Sequence, residues 1–406
     1  MSGNHDTRLD TDVLIVGGGI QGAGVAQAAA AAGYRVRVVE QTAVGSGTSS
    51  RSSKLIHGGL RYLESGQFAL VRKALRERRL LQQNAPDLVH LFPIRLPVYA
   101  GSTRPPWKIW LGLSLYALLG GLHRDNRFRR LSRKAMARLP IRQTGLRTVF
   151  EYFDGQTDDR ALTRAVLASA CRLGAGLWCP ATFVRAESGP DHVRTVVGFH
   201  DREMHVTSRV LINAAGPWVD RVLANITPTT TGPAIDLVQG THIVLAEPAP
   251  DTGYYVAAPQ DRRAVFILPW QGRTLVGTTE TAFHGDPASV RPLPEEIDYL
   301  LQVYRDAFPD GDATLVDAFA GLRVLPKTRG SFFSRPRDTL LHAGPSRVLS
   351  LYGGKLTGYR ATAEAVMACI RKWLPPRTAI ADTRQMRLEP VDEEGMRKVC
   401  EGQKEL

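Results

Sequence analysis

The sequence predicts an α/β (α+β) protein: a Rossmann-like dinucleotide-binding domain interrupted by a domain built on an antiparallel sheet. Three observations predict it. A strand, glycine turn, helix and strand open the chain. A second strand, glycine turn and helix stand near its end. The region between carries strand-length apolar runs separated by turns.

The opening unit is "DVLIVGGGIQGAGVAQAAAAAGYRVRVVEQ". Val13 to Val16 is a short apolar run, as in a buried strand. Ala23 to Ala32 reads as a helix that Gly33 ends, and Val36 to Val39 as the second strand. Within the turn, Gly17 permits the tight bend and Gly19 lets the backbone approach a pyrophosphate. Gly22 lets helix and strand pack closely, and the helix N-terminus favours phosphate charge. Glu40, at the end of the second strand, is placed to hydrogen-bond a ribose diol. This pattern does not separate NAD from FAD.

A helix is expected from about Gln67 to Gln83, with Phe68, Val71, Ala74 and Leu75 at helical spacing. Pro86, Pro93 and Pro97 break the pattern after it. "WKIWLGLSLYALLGG", Trp107 to Gly121, is apolar but too short to span a bilayer, which takes about 20 residues. Between Arg124 and Arg147 there are nine Lys/Arg and one acid. An apolar segment followed by a basic one suits contact with a membrane surface. A buried helix followed by a solvated basic helix is the alternative. Aromatic residues do not interleave with the basic run, which argues against a nucleic-acid partner. Residues 158–174 read as another amphipathic helix, and Val193–Val197 and His205–Val210 as strands of a meander. "VLINAAGPWVD" is a buried strand ending in Ala214-Ala215-Gly216, small residues that suit close approach to a ligand. "THIVLAE", "AVFILPW" and "TLVGTT" belong to the antiparallel sheet. "VLSLYGGKLTGYRATAEAVMACI" returns to strand, turn and helix.

The expected organisation is therefore residues 10–85, 151–225 and 344–380 as three parts of the nucleotide domain. Residues 86–150 form a helical, basic, membrane-facing insertion, 226–343 the antiparallel-sheet substrate domain, and 381–406 a short tail. The chain has 406 residues, 43% of them hydrophobic, which suffices for two domains. Its net charge is +13. Cys171, Cys179, Cys369 and Cys400 lie far apart without metal-type spacing, as in a reduced, cytoplasmic protein with no metal site. The polar N-terminus runs directly into the first strand, with no signal peptide.

"GTSSRSSKLIHGGLRYLE", preceded by "GGGIQGAG" and followed in order by "NAAGPWVD", "THIVL", "LPWQGRTLVGTTE", "GLRVL" and "GGKLTGYR", resembles the FAD-dependent, quinone-linked glycerol-3-phosphate dehydrogenases, which have the D-amino-acid-oxidase-like fold. The likeness spans about residues 10 to 370. Two motifs depart from the family's usual "GGKLTTYR" and "GTTD". Such proteins usually carry a further C-terminal helical domain, whereas this chain ends soon after the last matching helix.

The resemblance implies non-covalent FAD held by Gly17, Gly19, Gly22, Glu40, Gln41, Thr48, Ser49, Ser53, Leu55, His57, Gly58, Gly59, Ala215, Gly216, Gly353, Gly354, Leu356 and Thr357. Physically, the hydroxyls of Thr48, Ser49 and Ser53 suit phosphate and ribityl oxygens, and His57-Gly58-Gly59 offers backbone N–H groups beside the flavin ring. It further implies that Arg61, Tyr62, Arg323 and His242 contact the substrate, with a third arginine, Arg335 or Arg337, on its anionic group. An arginine fork matches phosphate or carboxylate. His242, with His57 as its rival, is the expected base for the substrate hydroxyl while hydride passes to flavin N5. Lys355, at a helix start, stabilises charge on the reduced flavin or reaches substrate. Trp218 and Trp270 are packing residues.

The expected reaction is oxidation of a phosphorylated secondary alcohol, sn-glycerol 3-phosphate to dihydroxyacetone phosphate. Electrons would pass to quinone, or alternatively to oxygen, with the protein peripheral on the inner face of the cell membrane. Two alternatives use the same residues: an FAD enzyme acting on a hydroxy acid or amino acid, and a non-catalytic flavin-binding protein at a membrane surface.

Overall fold

The computed structural model describes residues 9–327 and 339–401. The opening unit is β1 (Leu9–Val16), α1 (Ile20–Ala31) and β2 (Val36–Val39). The Ser/Thr-rich loop leads to β3 (Leu55–Ile56) and α2 (Phe68–Asn84). Next come β4 (Val89–Tyr99), α3 (Pro106–Leu119), β5 (Arg129–Arg130), α4 (Arg133–Met136) and β6 (Leu146–Thr157). The chain returns through α5 (Asp159–Arg172), β7 (Gly176–Trp178) and the meander β8 (Ala181–Ser188), β9 (Val193–Phe199) and β10 (Arg202–Asn213). After α6 (Val219–Ala224) and β11 (Ile226–Thr227) come β12 (Ile235–Pro248), β13 (Gly253–Ala257), β14 (Ala264–Trp270), β15 (Arg273–Gly277), β16 (Thr281–Phe283), α7 (Pro294–Ala307) and β17 (Leu315–Pro326). The last elements are β18 (Leu340–Ala343), β19 (Val348–Tyr352), α8 (Tyr359–Ile370) and α9 (Glu393–Glu401).

Two sheets organise these elements. In the first, β1 lies parallel between β10 and β2, with Val13 opposite both Val210 and Val36. β7 extends the sheet beyond β2, and β19 lies parallel to the end of β10. The strand from the chain's last third thus stands two places from its first strand. α1 is almost wholly buried, and its alanines pack against Leu162 and Val166 of α5 and Ala363 and Val366 of α8 in one core cluster. Each fully buried Val or Leu there contributes roughly 1.5–3 kcal/mol.

The second sheet runs β16-β12-β15-β14-β13-β4-β6-β3, with β17 on β12 and β5 on β6. β12 and β17 pair from Ile235↔Pro326 to Leu245↔Leu315. α7 covers this sheet through Leu300, Val303 and Tyr304, which pack on Ile243, Ile267 and Val276.

The stretch 86–150 is not a helical insertion. β4 pairs with β6 along its length and both belong to the second sheet. Pro93 and Pro97 sit within β4, because its other edge is paired only at Ile94 and Arg95 and an almost open edge tolerates proline. α3 is helical as expected, but only half buried. Leu113, Tyr116 and Ala117 face inward, whereas Trp107, Trp110, Leu111 and Leu118 are more than half exposed. The basic stretch after it is not a helix. It consists of a short turn at Arg124–Asn126, β5, and the single turn α4. Residues 381–401 are more than a tail: Leu388 and Met396 are buried in the α1 core.

Candidate active site

The first βα turn has the geometry of a phosphate cradle. Gly17 is left-handed, with φ 110°, and a Cβ there would lie 2.5 Å from the Ala214 carbonyl oxygen. A Cβ on Gly22 would fall 1.9 Å from the Gly17 carbonyl oxygen. Neither position admits a side chain, so the backbone can close tightly at the start of α1. Gly19 is the N-cap of that helix. The Ser49 hydroxyl accepts from the Ile20 N–H at 2.9 Å. Glu40 is buried, and its carboxylate accepts from the Gly18 N–H at 2.7 Å and the Thr42 N–H at 2.9 Å. Gln41 is exposed beside it. Ala215 and Gly216 follow β10 into a 3-10 turn. Thr48 donates to the Leu322 carbonyl at 2.8 Å, which ties the loop to β17.

The two ends of the nucleotide domain meet here. Gln21 in α1 donates to the Lys355 carbonyl at 3.5 Å. Thr357 is buried, and its hydroxyl accepts from the His57 N–H at 3.2 Å. Gly353-Gly354-Lys355 leads into a 3-10 turn, Leu356–Gly358, that continues as α8. A bidentate, buried ion pair between Arg360 and Glu77 then joins α8 to α2. Leu55 is buried in β3.

Gly58 and Gly59 are buried as well. The Gly58 N–H donates to the Tyr116 hydroxyl at 2.8 Å, and that hydroxyl donates to Asp154 at 2.8 Å. Arg78 closes the network with ion pairing to Asp154 and a hydrogen bond to Asn126. This internal support for the loop was not foreseen from sequence.

His242 and Arg323, two of the residues expected at the substrate, lie on β12 and β17 of the second sheet. His242 is 2% exposed, hydrogen-bonded through Nε2 to the Ser53 hydroxyl at 2.9 Å, and stacked on Phe319 with centroids 5.1 Å apart. Burial, reinforced by Arg323 and Lys54, holds its pKa well below the ordinary 6.5. The partly buried His57 is held down to about 3 by burial and then by Lys355, Arg61 and Arg78. Both rings are therefore neutral at pH 7. Arg323 donates to the Thr278 hydroxyl at 3.1 Å and the Thr279 carbonyl at 3.3 Å, with Glu280 at 3.9 Å. Arg61 and Lys355 share the Tyr62 ring, at 5.6 Å and 3.7 Å from its centroid.

A row of contacts links these groups. His57 lies 6.5 Å from Phe266, and Phe266 is opposite Gly277 in the β14–β15 pair. Gly277 in turn is opposite His242. Tyr255 packs edge-on against Phe266 at 4.9 Å. Phe266, Tyr255 and the buried Lys54–Asp159 pair are site neighbours that sequence reasoning missed. Arg335 and Arg337 lie outside the described residues.

Residues 12–360 match the family described as FAD dependent oxidoreductase (DAO). The chain belongs to this family. This FAD-dependent oxidoreductase is 38% identical over 365 residues to a glycerol-3-phosphate dehydrogenase of Pseudomonas aeruginosa, covering 88% of this chain and 70% of the relative. It is 34% identical to a D-erythritol 1-phosphate dehydrogenase of Brucella abortus, over 90% of this chain and 74% of the relative. Among solved structures, the glycerol-3-phosphate dehydrogenase from Bacillus halodurans complexed with FAD superposes with a TM-score of 0.72 at 26% identity. That match covers 93% of this chain and 68% of the other.

The residues present fit the cofactor. The glycine cradle faces the N-terminus of α1, whose first turn carries no acid to repel a phosphate. Two buried polar atoms, Gln21 Oε1 and His242 Nδ1, have no hydrogen-bond partner among the described residues. Such atoms are costly unless a ligand satisfies them.

Proposed function

We propose that the protein oxidises sn-glycerol 3-phosphate to dihydroxyacetone phosphate and passes the electrons to a membrane quinone. The observation that carries the reading is a neutral, buried His242 with one ring nitrogen engaged by Ser53, the other without a partner, and Arg323 acting on it electrostatically. Bound FAD supplies the two-electron acceptor. With Nε2–H donated to Ser53, the lone pair on His242 Nδ1 takes the proton of the C2 hydroxyl. Phe319 and Gly277 hold the ring in plane. Arg323 and Arg61 receive the phosphate, and Arg335 or Arg337 adds a further contact. Lys355 and the start of α8 place positive charge near Tyr62 and His57, and would stabilise negative charge on a reduced flavin held beside them.

Relatives named for glycerol 3-phosphate and erythritol 1-phosphate support a phosphorylated polyol over a hydroxy acid or amino acid. The quinone assignment is supported by the outer face of α3, where Trp107, Trp110, Leu111 and Leu118 are exposed together. A membrane surface would cover such a patch. Among the described residues no helix is long and apolar enough to cross a membrane.

Anaerobic titration of the yellow protein tests the substrate. Bleaching by sn-glycerol 3-phosphate is expected, with erythritol 1-phosphate, lactate and glycine as comparisons. Bleaching by lactate or glycine alone, or by none of the four, would refute the reading.

A further inference from the structure

We infer that the groove between α2 and α8 is a second anion site, separate from the substrate arginines, that takes a phosphate-bearing ligand. The groove has a volume of about 890 Å³, and the Gly120–Gly121 turn after α3 contributes to its lining. Arg72, Lys73, Arg76 and Arg79 line it from one face of α2, and all four are exposed. Arg72 and Arg76 are one helical turn apart, as are Arg76 and Arg79. Like charges at that spacing destabilise a helix.

The neighbouring acids do not relieve this repulsion. Glu77 is engaged by Arg360, at 2.8 and 2.6 Å. Glu364 is shared by Arg360 and Arg384. Asp125 is the remaining acid of the lining. Among the described residues Arg72, Lys73 and Arg76 make no ion pair or side-chain hydrogen bond, and Arg79 meets only His123. A groove of this size with several arginine forks, and with two of its three acids already engaged, selects a multiply charged oxyanion, and phosphate fits the forks in a bidentate way. The inner face of the same helix bears on the active site: a Cβ on Gly58 would lie 2.6 Å from Leu75 Cδ2. The inference stands independently of the substrate reading.

Two sources share this chemistry, a free phosphate compound and a phospholipid headgroup. The test titrates the flavin-loaded protein with inorganic pyrophosphate, followed by calorimetry, and separately measures co-sedimentation with phosphatidylglycerol vesicles. Saturable pyrophosphate binding that weakens at least about tenfold in Arg72→Glu/Arg76→Glu, on the scale of one charged hydrogen bond, and persists in Arg323→Lys, supports a free ligand. Vesicle binding with the same dependence, without pyrophosphate binding, supports the headgroup. If neither probe binds, or if both bind the α2 variant as well as the parent, the site does not exist. Flavin absorbance and circular dichroism verify folding, and Arg72→Gln/Arg76→Gln repeats the test if the charge reversal does not fold.

Discussion

Replacing Gly277 by alanine probes the active site through one added carbon. Gly277 faces His242 across the β12–β15 pair, and a Cβ there would lie 2.1 Å from His242 Cδ2 and 2.8 Å from Nε2. Ordinary carbon contacts are about 3.5–4.0 Å, so the imidazole must move by more than about 1 Å. Phe319, stacked 5.1 Å away, blocks retreat, and the 2.9 Å bond to Ser53 breaks. Overpacking costs about 1–3 kcal/mol, and the lost hydrogen bond about 0.5–1.5 kcal/mol. A base displaced by about 1 Å costs on the order of a hundredfold in rate. The assay is anaerobic stopped-flow reduction of the bound flavin at saturating sn-glycerol 3-phosphate, with thermal denaturation of the same sample. Gly112→Ala is the control, because no atom outside its own stretch of helix backbone lies within 4 Å of its Cβ position and alanine there favours α3 by about 1 kcal/mol. A Gly277→Ala protein that binds flavin and reduces it within about threefold of the parent rate would refute His242 as the base, given the usual scale of base catalysis.

Arg323→Lys loses the planar fork and is expected to raise KM for the phosphorylated substrate by about tenfold or more, with flavin content unchanged in the absorbance spectrum. Both histidines have depressed pKa values, so the unfolded chain takes up their protons first. Stability present above pH 6.5 is lost as pH falls towards the folded values, about 3 for His57. Urea titrations at pH 7, 5 and 4 should show the loss, and His57→Asn should flatten it. In the rate profile the acidic limb should lie below pH 6.5, since His242 is already neutral there. Tyr116→Phe leaves the buried Gly58 N–H without its acceptor and should cost about 1–3 kcal/mol in urea denaturation, with weaker FAD retention on dilution. Trp110→Ser/Leu118→Ser should lower quinone reduction in vesicles while leaving reduction of a water-soluble dye unchanged.

The legible parts of the molecule were those whose chemistry is local. The Gly17–Gly22 turn, the helix after it and the Gly353–Thr357 turn lie within short stretches, so spacing alone places them. β4 and β6 were hidden because a strand's identity depends on a remote partner, and Pro93 and Pro97 looked like breakers until the nearly open edge of β4 was known. The family resemblance and the chemistry of their hydroxyls point to Thr48 and Ser53 as cofactor contacts. The fold directs one to the Leu322 carbonyl and the other to His242. The Tyr116–Asp154–Arg78 network draws on α3, β6 and α2, and each of those residues alone looks like a core aromatic or a surface charge. Phe266 and Tyr255 are ordinary strand aromatics until the register of β14 with β15 brings them beside His57 and Gly277.

The contact between Gln21 and Lys355 spans 334 positions along the chain. A polypeptide emerging from the ribosome completes its dinucleotide turn early, yet the opposite wall of that pocket arrives only after both sheets have been synthesised. A nascent protein stalled before Gly353 would therefore hold the Gly17–Gly22 turn without the Gly353–Thr357 turn that closes against it. Loop closure of this length lowers the folding rate more than it lowers the final stability, so the joining of the two chain ends should be a slow step of maturation.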